Sequence, residues 1–393
     1  MNNPICAKDL CTGCGACYNI CPVQCIEMKV DEEGFNYPII EIEKCIDCRK
    51  CRDVCPMINS AKFYYETEPT VYACWNKDAY TRYNSSSGGV FTVLADNIID
   101  DGGVVFGAAY DDFMTVRHIA IDNKNDVRKL QGSKYVQSDI SRTYLDIKTI
   151  LSGGKKVLFS GTPCQIAGLK NFIGYTDENL ITCDILCKGV PSPGLFNKYI
   201  NFMNIKSKKN INHINFREKK YGWGIAVTQF ETKDGTKKYA KKVDDSFMYS
   251  FSTAISIRTS CKNCQYTKTY RVGDITLGDF WGIGQNKEFK PITKNGISFV
   301  KINSKKGSKI FDIISTNIEF EKRTLDEALK GQGSALSKPI VLNKKREAFF
   351  RDYTHLNYEE LSKKYLKEKG IKGLTKKIIP DVWIYKIRKI IRG

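Results

Sequence analysis

Long apolar runs are absent from this chain of 393 residues. A helix that crosses a bilayer needs about 18 or more consecutive apolar residues. No stretch approaches that length, so the sequence predicts no membrane span. The opening MNNPICAKDL also lacks the apolar segment of a secretory signal peptide. Because disulfides are rare in reducing compartments, we expect the 16 cysteines to be thiols or metal ligands of a cytoplasmic protein.

Two nucleotide-binding motifs are missing as well. No glycine-rich loop is followed by G-K-S or G-K-T, and no G-x-G-x-x-G follows the first strand after residue 70. These motifs hold the phosphates in P-loop and Rossmann proteins. A dinucleotide cofactor would therefore have to be held by loops of another kind.

The net charge of +19 is unevenly distributed along the chain. Residues 1–66 contain seven Lys or Arg against ten Asp or Glu, a net of −3, whereas residues 361–393 contain eleven against two, a net of +9. Nucleic-acid binding proteins carry their basic side chains along a groove with aromatic residues. Because much of the excess lies in the tail, the sequence does not favour a nucleic-acid partner.

Eight cysteines near the start repeat one spacing twice. Each run reads C-x-x-C-x-x-C-x-x-x-C-P, the signature of bacterial ferredoxins that bind two 4Fe-4S clusters. In such runs the fourth cysteine binds the other cluster. We therefore predict one cluster on Cys11, Cys14, Cys17 and Cys55, and a second on Cys45, Cys48, Cys51 and Cys21.

Zinc sites and a disulfide scaffold are the alternatives for these cysteines. Zinc knuckles usually separate two C-x-x-C pairs by a longer gap, and disulfides require an exported chain. In the first run, Gly13 and Gly15 let the backbone turn closely around a cluster. The second run has Asp47 and Arg49 there instead, so its surroundings are expected to be more polar.

Residues 1–66 are thus predicted to form a ferredoxin-like dicluster domain. The segment between the two cysteine runs, residues 31–43, is typical of a hairpin. Cys6 and Cys25 lie beside the runs without fitting their spacing. We interpret them as packed thiols rather than ligands.

From residue 70 the pattern changes to strands that alternate with helices, which predicts a mixed α/β body. VYACW predicts a strand and VFTVLADNIID a helix, and the junction between them contains Ser86, Ser87, Gly88 and Gly89. Free amides and hydroxyls at a helix N-terminus bind anions, so a pyrophosphate fits there, although such a run is also a common helix cap. A second polar junction precedes a helix predicted for residues 139–151, and it contains Gly132, Ser133, Lys134 and Tyr135.

Four further cysteines fall into two halves. The apolar strands KKVLFS and NLITCDILCKG are followed by Cys164 and end near Cys187. Strand ends in an open α/β sheet gather ligands at one edge. Cys261 and Cys264 form a separate C-x-x-C, which by itself is a redox pair or half of a metal site. The four together suggest a third cluster.

The C-terminal part combines hairpins with a basic tail. Residues 211–240 predict β-hairpins with a turn at Asp234-Gly235. Residues 346–393 are basic and helical in pattern. In the last turns, apolar side chains share one side and Arg388, Lys389 and Arg392 the other; the apolar ones are Trp383, Ile384, Ile387, Ile390 and Ile391. Such a helix lies on an anionic membrane surface or docks on the body or on a partner.

The motifs occur in an order typical of one family. The ferredoxin pair is followed by SSSGGVFTVL, LQGSKYVQSD, SGTPCQIAGL, CKGVPSPGLF, the C-x-x-C and GDFWG. Together they resemble the beta-subunit family of coenzyme F420 hydrogenase and dehydrogenase, up to about residue 350. The resemblance implies an N-terminal family region over residues 70–152 and a C-terminal one over residues 153–345. The tail lies outside it.

Members of that family are iron-sulfur flavoproteins with FAD in the α/β body. By motif, the resemblance implies FAD contacts from Ser86, Ser87, Gly88, Gly89, Gly132, Ser133, Lys134 and Tyr135. It also implies that Cys164, Cys187, Cys261 and Cys264 bind a third 4Fe-4S cluster near the flavin. Cys187 is preferred to Cys183 because it stands in the C-K-G-V-P-S-P context.

The function expected from these features is electron transfer coupled to an organic reaction. Cubanes move one electron at a time, whereas most organic reductions need two, which a flavin supplies. We expect a ferredoxin-like carrier to exchange electrons with the clusters and FAD, and an unidentified organic substrate to be reduced or oxidised. The alternative is an electron-transfer subunit without a substrate site of its own, which connects a partner enzyme to the ferredoxin pool.

Catalytic residues are not identified by the sequence. Lys134 is placed to stabilise a reduced anionic flavin, or it is an ordinary salt-bridged lysine. His118 and His213 are candidates for proton transfer by residue type only. Asp279, beside an aromatic pair in GDFWG, lines the cofactor pocket or simply packs.

Overall fold

The structure is a computed structural model that describes residues 5–59, 70–225, 227–241 and 244–367. The final helix predicted from Trp383 to Ile391 lies outside the described residues. No helix among the described residues has both the length and the apolar character to cross a bilayer.

The N-terminal segment is built on a small antiparallel hairpin, with a short helix after the second cysteine of each run. Strands β1 (Ile26–Val30) and β2 (Asn36–Ile40) pair antiparallel. The hairpin predicted for residues 31–43 is therefore present, but its first strand begins earlier, at Ile26. The helices are α1 (Ala16–Ile20) and α2 (Lys50–Asp53).

The body is organised around an eight-stranded mixed sheet with the order β13-β3-β12-β11-β7-β6-β4-β5. Its parallel centre joins β4, β6, β7 and β11, and the remaining pairs are antiparallel. The strands are β3 (Thr70–Asn76), β4 (Val104–Tyr110), β5 (Val116–Ile121), β6 (Val157–Gly161), β7 (Leu180–Ile185), β11 (Ile275–Asp279), β12 (Ser298–Ile302) and β13 (Ile318–Arg323). One sheet thus draws strands from both predicted family regions.

Helices alternate with the strands of this sheet, as the pattern predicts, and α7 joins the parallel neighbours β6 and β7. The helices are α3 (Ala79–Asn84), α4 (Val90–Asp100), α5 (Val127–Leu130), α6 (Thr143–Ser152), α7 (Pro163–Ile173), α8 (Pro193–Ser207), α10 (Lys305–Ile314) and α11 (Leu325–Gln332). Pro163 and Pro193 begin their helices, where the missing amide proton costs nothing. The mixed α/β architecture is confirmed.

The helix predicted for residues 139–151 begins later than expected, at Thr143. The amide of Asp139 donates to Val116 and its carbonyl accepts from His118, so this residue is paired with β5 instead. Ser141 then takes a left-handed backbone with φ 46°. Tertiary pairing therefore overrides the local helical pattern in the first turn.

A second sheet and the last helices cover the remaining side of the body. Strands β8 (Ile211–Glu218), β9 (Val227–Thr232) and β10 (Lys237–Lys241) form antiparallel hairpins, and the predicted turn at Asp234-Gly235 lies between β9 and β10. Helices α9 (Ser246–Ser252), α12 (Arg346–Tyr353) and α13 (Tyr358–Tyr365) follow. Phe349 of α12 and Leu361 of α13 are fully buried, so the first part of the predicted tail is docked on the body.

The hairpin turn of the N-terminal segment packs directly against the body. Gly34 has φ 78°, and a Cβ at this position would lie 2.7 Å from the Ser192 hydroxyl and 2.8 Å from Gly194 Cα. The amide of Gly194 donates to the Gly34 carbonyl at 3.0 Å. Arg346 of α12 completes this contact by pairing with the carboxylate of Glu33.

We predict that Gly34→Ala destabilises the protein more than Gly102→Ala. Both positions have a left-handed backbone, which costs a non-glycine residue about 1–2 kcal/mol, but nothing lies within 4 Å of a Cβ at Gly102. At Gly34 the methyl group also overpacks the interface, which adds about 1–3 kcal/mol. The free energy of unfolding, measured by urea titration without oxygen, should show this difference; equal losses would contradict the tight contact.

Candidate metal and cofactor sites

The two cysteine runs fold into loops of the same shape. In the first loop, Gly13 and Gly15 have φ of 66° and 77°; at the matching positions of the second loop, Asp47 and Arg49 have φ of 48° and 59°. The left-handed backbone lets each loop turn tightly before its short helix. The repeat in the sequence is therefore a repeat in conformation, although only the first loop uses glycine for it.

The first predicted ligand set is gathered at one buried place. Cys11, Cys14 and Cys55 are each 8% exposed, and Cys55 comes from the far end of the second run. Burial, and then the neighbouring Cys14, Cys11 and Cys55, raise the pKa of Cys17 well above its ordinary value. The four thiols are thus neighbours, in the crossed arrangement that the spacing predicts. Their ligation of iron stays a prediction.

The second predicted set lies at the surface. Cys45 and Cys48 are exposed, and Cys51 is half-buried. Burial, then Cys48 and Cys45, raise the pKa of Cys51. The sulfur of Cys25 lies 3.4 Å from that of Cys21, and the Cys25 thiol also contacts Cys45. Cys25 therefore links Cys21 to this group.

Each set has a fifth thiol beside it. The Cys6 thiol is hydrogen-bonded to Cys11 and Cys55, and this contact is the largest cause that lowers the pKa of both. The Cys25 thiol is likewise hydrogen-bonded to Cys21 and Cys45. Cys6 and Cys25 therefore pack against the predicted ligands themselves, a placement that their spacing did not indicate.

Four cysteines from the body line one small cavity. Cys164 is the second residue of α7, shortly after β6, and Cys187 follows β7. Cys261 and Cys264 lie in and after a short turn of 3-10 helix. Because β6 and β7 are parallel neighbours, their carboxyl ends meet at one edge of the sheet. The structure therefore brings together the four cysteines that the resemblance implies for a third cluster.

Cys183 lies apart from this cavity. It is 0% exposed within β7, where burial, the first cause, raises its pKa and the Ser160 side chain is its hydrogen-bond partner. Cys187, beyond the strand, is among the residues that line the cavity. The geometry agrees with the choice of Cys187 over Cys183, while ligation itself remains to be tested.

The cavity has the chemistry of a site for a buried anionic group. Its thiols are accompanied by the cations Lys188, Arg258 and Arg271. The hydroxyls of Thr12 and Ser260 also line it. The Thr12 hydroxyl contacts the Cys164 thiol, and the Ser260 hydroxyl is buried with no hydrogen-bond partner among the described residues. Hydroxyl donors next to thiols and cations fit an iron-sulfur cluster, whose sulfurs accept hydrogen bonds.

The described residues include no trio of His, Cys, Asp or Glu side chains close enough to share a single metal ion. A cubane spreads its four ligands around a cage of several irons instead.

The first ligand set and the cavity are adjacent. The neighbouring thiol of Cys164 contributes to the raised pKa of Cys14, after burial and Cys55. Thr12, inside the first cysteine run, is itself part of the cavity wall. Two predicted cluster sites thus share a boundary inside the protein.

The two predicted flavin loops contact each other. The Ser133 amide donates to the Ser86 hydroxyl oxygen at 2.7 Å, and the Ser133 hydroxyl donates to the same oxygen at 3.0 Å. Gly132 has φ 82°, and nothing lies within 4 Å of a Cβ at this position, so there is open space beside the loop. The two loops are therefore joined by hydrogen bonds, and open space lies beside them at Gly132.

Other groups in these loops form hydrogen bonds or close contacts within the protein. The Ser87 hydroxyl donates to the Ile297 carbonyl, and the Gly88 amide donates to the Ser298 hydroxyl. A Cβ at Gly88 would lie 2.3 Å from the Cys74 carbonyl, so this glycine permits a close approach to β3. Gly89 caps α4 with φ 86°. Part of the serine-glycine run is thus structural.

Lys134 is a half-buried cation beside these two loops. Its ammonium donates to the carbonyls of Lys129 at 2.9 Å and Gln131 at 2.7 Å. Burial lowers the pKa of Lys134 to about 7. No carboxylate is among its hydrogen-bond acceptors in the described part of the chain, so the salt-bridged alternative does not describe it.

Tyr135 connects the loop to the GDFWG motif. Its hydroxyl accepts from Arg217 at 3.2 Å, and the same guanidinium donates to Asp279 at 2.6 Å. Trp223 also donates to Asp279, at 2.7 Å, and its ring stacks on Trp281 with centroids 4.4 Å apart. Asp279 is therefore the acceptor of a buried network and stands at an aromatic wall.

The two histidines have different surroundings. His118 is buried, its ring stacks on Phe159 at 5.0 Å, and burial lowers its pKa to about 4. It is therefore neutral at neutral pH. His213 lies on β8 with its ring edge-on to Tyr110 at 6.3 Å, and burial lowers its pKa too. The structure places neither of them in the cysteine-lined cavity.

Sequence reasoning missed the cations of the site. Four cations from separate parts of the chain lie near the cysteines or the GDFWG motif: Arg217, Lys188, Arg258 and Arg271. A single basic residue in a Lys-rich chain carries no local signal of this kind. Only the position of Lys188 next to Cys187 could have drawn attention to it.

Taken together, a surface thiol set, a buried thiol set and a cysteine-lined cavity at a sheet edge define an iron-sulfur electron-transfer protein. Family models of the beta subunit of coenzyme F420 hydrogenase/dehydrogenase match residues 71–143 (N-terminal part) and 154–328 (C-terminal part). A 4Fe-4S dicluster domain matches residues 10–58. The chain belongs to this beta-subunit family, as its motifs predicted, and is an iron-sulfur electron-transfer subunit consistent with an oxidoreductase.

The other comparisons are more distant. A search of curated proteins found no match. Among the 13 matching chains of solved structures is one from the xenon-derivatised F420-reducing NiFe hydrogenase complex of Methanosarcina barkeri. It is 14% identical, with a TM-score of 0.41, and the match covers 77% of this chain and 91% of that one.

We predict that Cys187→Ser removes the iron of one cluster, whereas Cys183→Ala does not. A 4Fe-4S cluster holds four irons, so protein reconstituted without oxygen should fall from about twelve irons to about eight in the first variant only. The measurement is iron per chain with the electron paramagnetic resonance spectrum of the reduced protein. Equal iron in both variants would refute the cavity assignment.

Proposed function

We propose that this protein is an iron-sulfur flavoprotein oxidoreductase that passes electrons between a ferredoxin-like carrier and an organic substrate, through 4Fe-4S clusters and FAD. The observation that carries the proposal is the order of its thiol sets, from exposed through buried to the edge of the sheet. Cubanes supply single-electron steps and FAD, when bound, supplies the paired ones. The 16 unpaired thiols support a reducing compartment such as the cytoplasm.

The exposed set offers the contact surface for the carrier. Cys45 and Cys48 are exposed, and so are four isoleucines of the same cysteine-rich segment: Ile39 by 42%, Ile42 by 55%, Ile46 by 61% and Ile58 by 45%. Exposed apolar side chains that group on a surface mark an interaction site. The proposed docking surface is the one that Cys45 and Cys48 share with Ile42 and Ile46, the isoleucines nearest to them in the sequence.

The buried set and the cavity provide the path inward. Tyr144, fully buried, shares its hydroxyl between the carbonyls of Cys14 at 2.9 Å and Gln165 at 2.8 Å. It thereby fixes the first cysteine loop against α7, which begins beside Cys164. The residues themselves thus hold the two predicted cluster sites at a constant separation and exclude water between them.

The residues that would hold FAD are the two joined loops and the cations near them. Ser86 Oγ accepts both donors of Ser133, so the proton of the Ser86 hydroxyl is the group that would reach a phosphate in the open space at Gly132. Desolvation lowers the pKa of Lys188, and the charges of Asp279 and Arg217 also act on it. Because Lys188 lines the cavity as well, it lies between the cavity and the Arg217 network. Lys188 and Arg217 are therefore placed to favour a negatively charged flavin ring.

We predict that Ser86→Ala lowers the flavin content, whereas Ser85→Ala does not. Ser86 accepts both hydrogen bonds that join the two loops, but the Ser85 hydroxyl only donates to Thr81 within its own helix. Without these two hydrogen bonds, residues 132–135 are no longer held in the position that the proposal gives them beside FAD. The ratio of FAD to chain, with iron per chain as the control for folding, measures the effect.

The second candidate is an electron-transfer subunit without a substrate site. The exposed apolar patch favours it, because a partner enzyme would cover that surface. The match to family models of a beta subunit also supports a partner. The substrate is not named by either candidate, and coenzyme F420 is what the related proteins are named for.

One experiment separates the two candidates. The full chain, reconstituted without oxygen, should hold about twelve irons, four per cubane, and about one FAD, the cofactor that the family resemblance implies. A protein with its own substrate site should bind an organic acceptor at the flavin and be reoxidised by it. A chain that reduces dyes and a partner but no small organic acceptor would support the subunit alternative. Absence of flavin from protein made with ample riboflavin would contradict the flavoprotein proposal.

A further inference from the structure

Arg258 is a fully buried cation between the N-terminal segment and the body. Its side chain is 0% exposed and lies just before Cys261. Nε donates to the Cys11 carbonyl at 2.8 Å, and the two Nη atoms donate to the Gln137 side chain at 3.0 Å and the Asn36 carbonyl at 3.1 Å. The guanidinium also lies 4.0 Å from the ring centroid of Tyr37.

No carboxylate pairs with Arg258 in the described ranges of the chain, which distinguishes it from comparable arginines. Arg271, in the same cavity wall, pairs with Asp184 at 3.1 Å. Arg346, at the same interface, pairs with Glu33 at 2.8 Å. Burying a charge is costly unless an opposite charge or a full set of hydrogen bonds compensates it. The neutral acceptors of Arg258 supply only part of this compensation.

Sulfur atoms of both buried sites lie near this guanidinium. One Nη is 3.8 Å from Cys11 Sγ, in the first ligand set. The same side chain lines the cavity with Cys164 and Cys261. Arg258 therefore borders both buried sites, and the surface set of Cys45 and Cys48 has no such buried neighbour among its described contacts.

We propose that Arg258 is the shared counter-cation of the two buried cluster sites and raises the reduction potentials of both relative to the surface one. This inference rests on the proposed function. A cluster with four thiolate ligands is an anion, and one-electron reduction adds one negative charge. A fixed cation beside it stabilises the reduced state more than the oxidised one. Because the site is buried, dissolved salt screens this effect little.

Arg258 is accordingly a positioning residue with an electrostatic effect. It does not touch a substrate, and its acceptors at Cys11 and Asn36 keep the first cysteine loop in place. The consequence is an electrostatic contribution that favours electrons on the two inner sites and is absent at the surface set. A purely structural arginine would hold the loop without adding this contribution.

The test compares Arg258→Met and Arg258→Lys with the control Arg346→Met in the full chain. Arg346 is also buried, also spans this interface and donates to the Ile257 carbonyl next to Arg258. No cysteine is among its hydrogen-bond and ion-pair partners in the ranges that the structure describes. Potentiometric titration of the reconstituted protein, followed by electron paramagnetic resonance, gives one reduction step per cluster. Iron per chain is measured in parallel.

We expect two of the three steps to move to more negative potential in Arg258→Met, and less far in Arg258→Lys, which keeps the charge but not its position. The third step should stay in place, and Arg346→Met should move none. Unchanged steps in both Arg258 variants, or equal shifts in the control, would overturn the inference. If Arg258→Met does not fold, the lysine variant alone decides. Wild-type protein without clusters would instead contradict the proposed function.

Discussion

The contact between the first cysteine loop and helix α7 is the constraint on which the rest of the structure depends. A Cβ at Gly168 would lie 3.0 Å from Cys14 Sγ, so glycine lets this helix approach the thiol without displacing it. Cys164, in the first turn of the same helix, lines the cavity. Two segments far apart in the sequence thereby bring the first predicted ligand set and the cavity next to each other.

Positively charged side chains are a second feature of the interior. Arg258 and Arg217 are buried, whereas Lys188 is an exposed cation at the cavity wall. Of these three, Arg217 donates to the carboxylate of Asp279. Proteins seldom bury positive groups without a partner. An anionic group such as an iron-sulfur cluster with thiolate ligands would stabilise a buried cation of this kind, which agrees with the iron-sulfur character of the family.

Much of this organisation could be predicted from the sequence, because it is encoded locally. The cysteine spacing predicted the crossed ligand sets, and apolar runs predicted β3, β4, β6 and β7 together with the helices between them. The position of β3 between β12 and β13 could not be predicted, since strand pairing over more than two hundred residues leaves no local pattern. Arg258 and Arg217 were missed for the same reason: their partners are distant in the chain and their neighbours are unremarkable.

The difference between the two cysteine loops has a consequence for resistance to oxygen damage. Gly13 and Gly15 adopt the left-handed backbone at little cost, so the inner loop keeps its shape when emptied. For Asp47 and Arg49 the same backbone costs about 1–2 kcal/mol each. The backbone strain is therefore concentrated in the outer loop, and we expect that loop to be the less resistant of the two to oxygen damage.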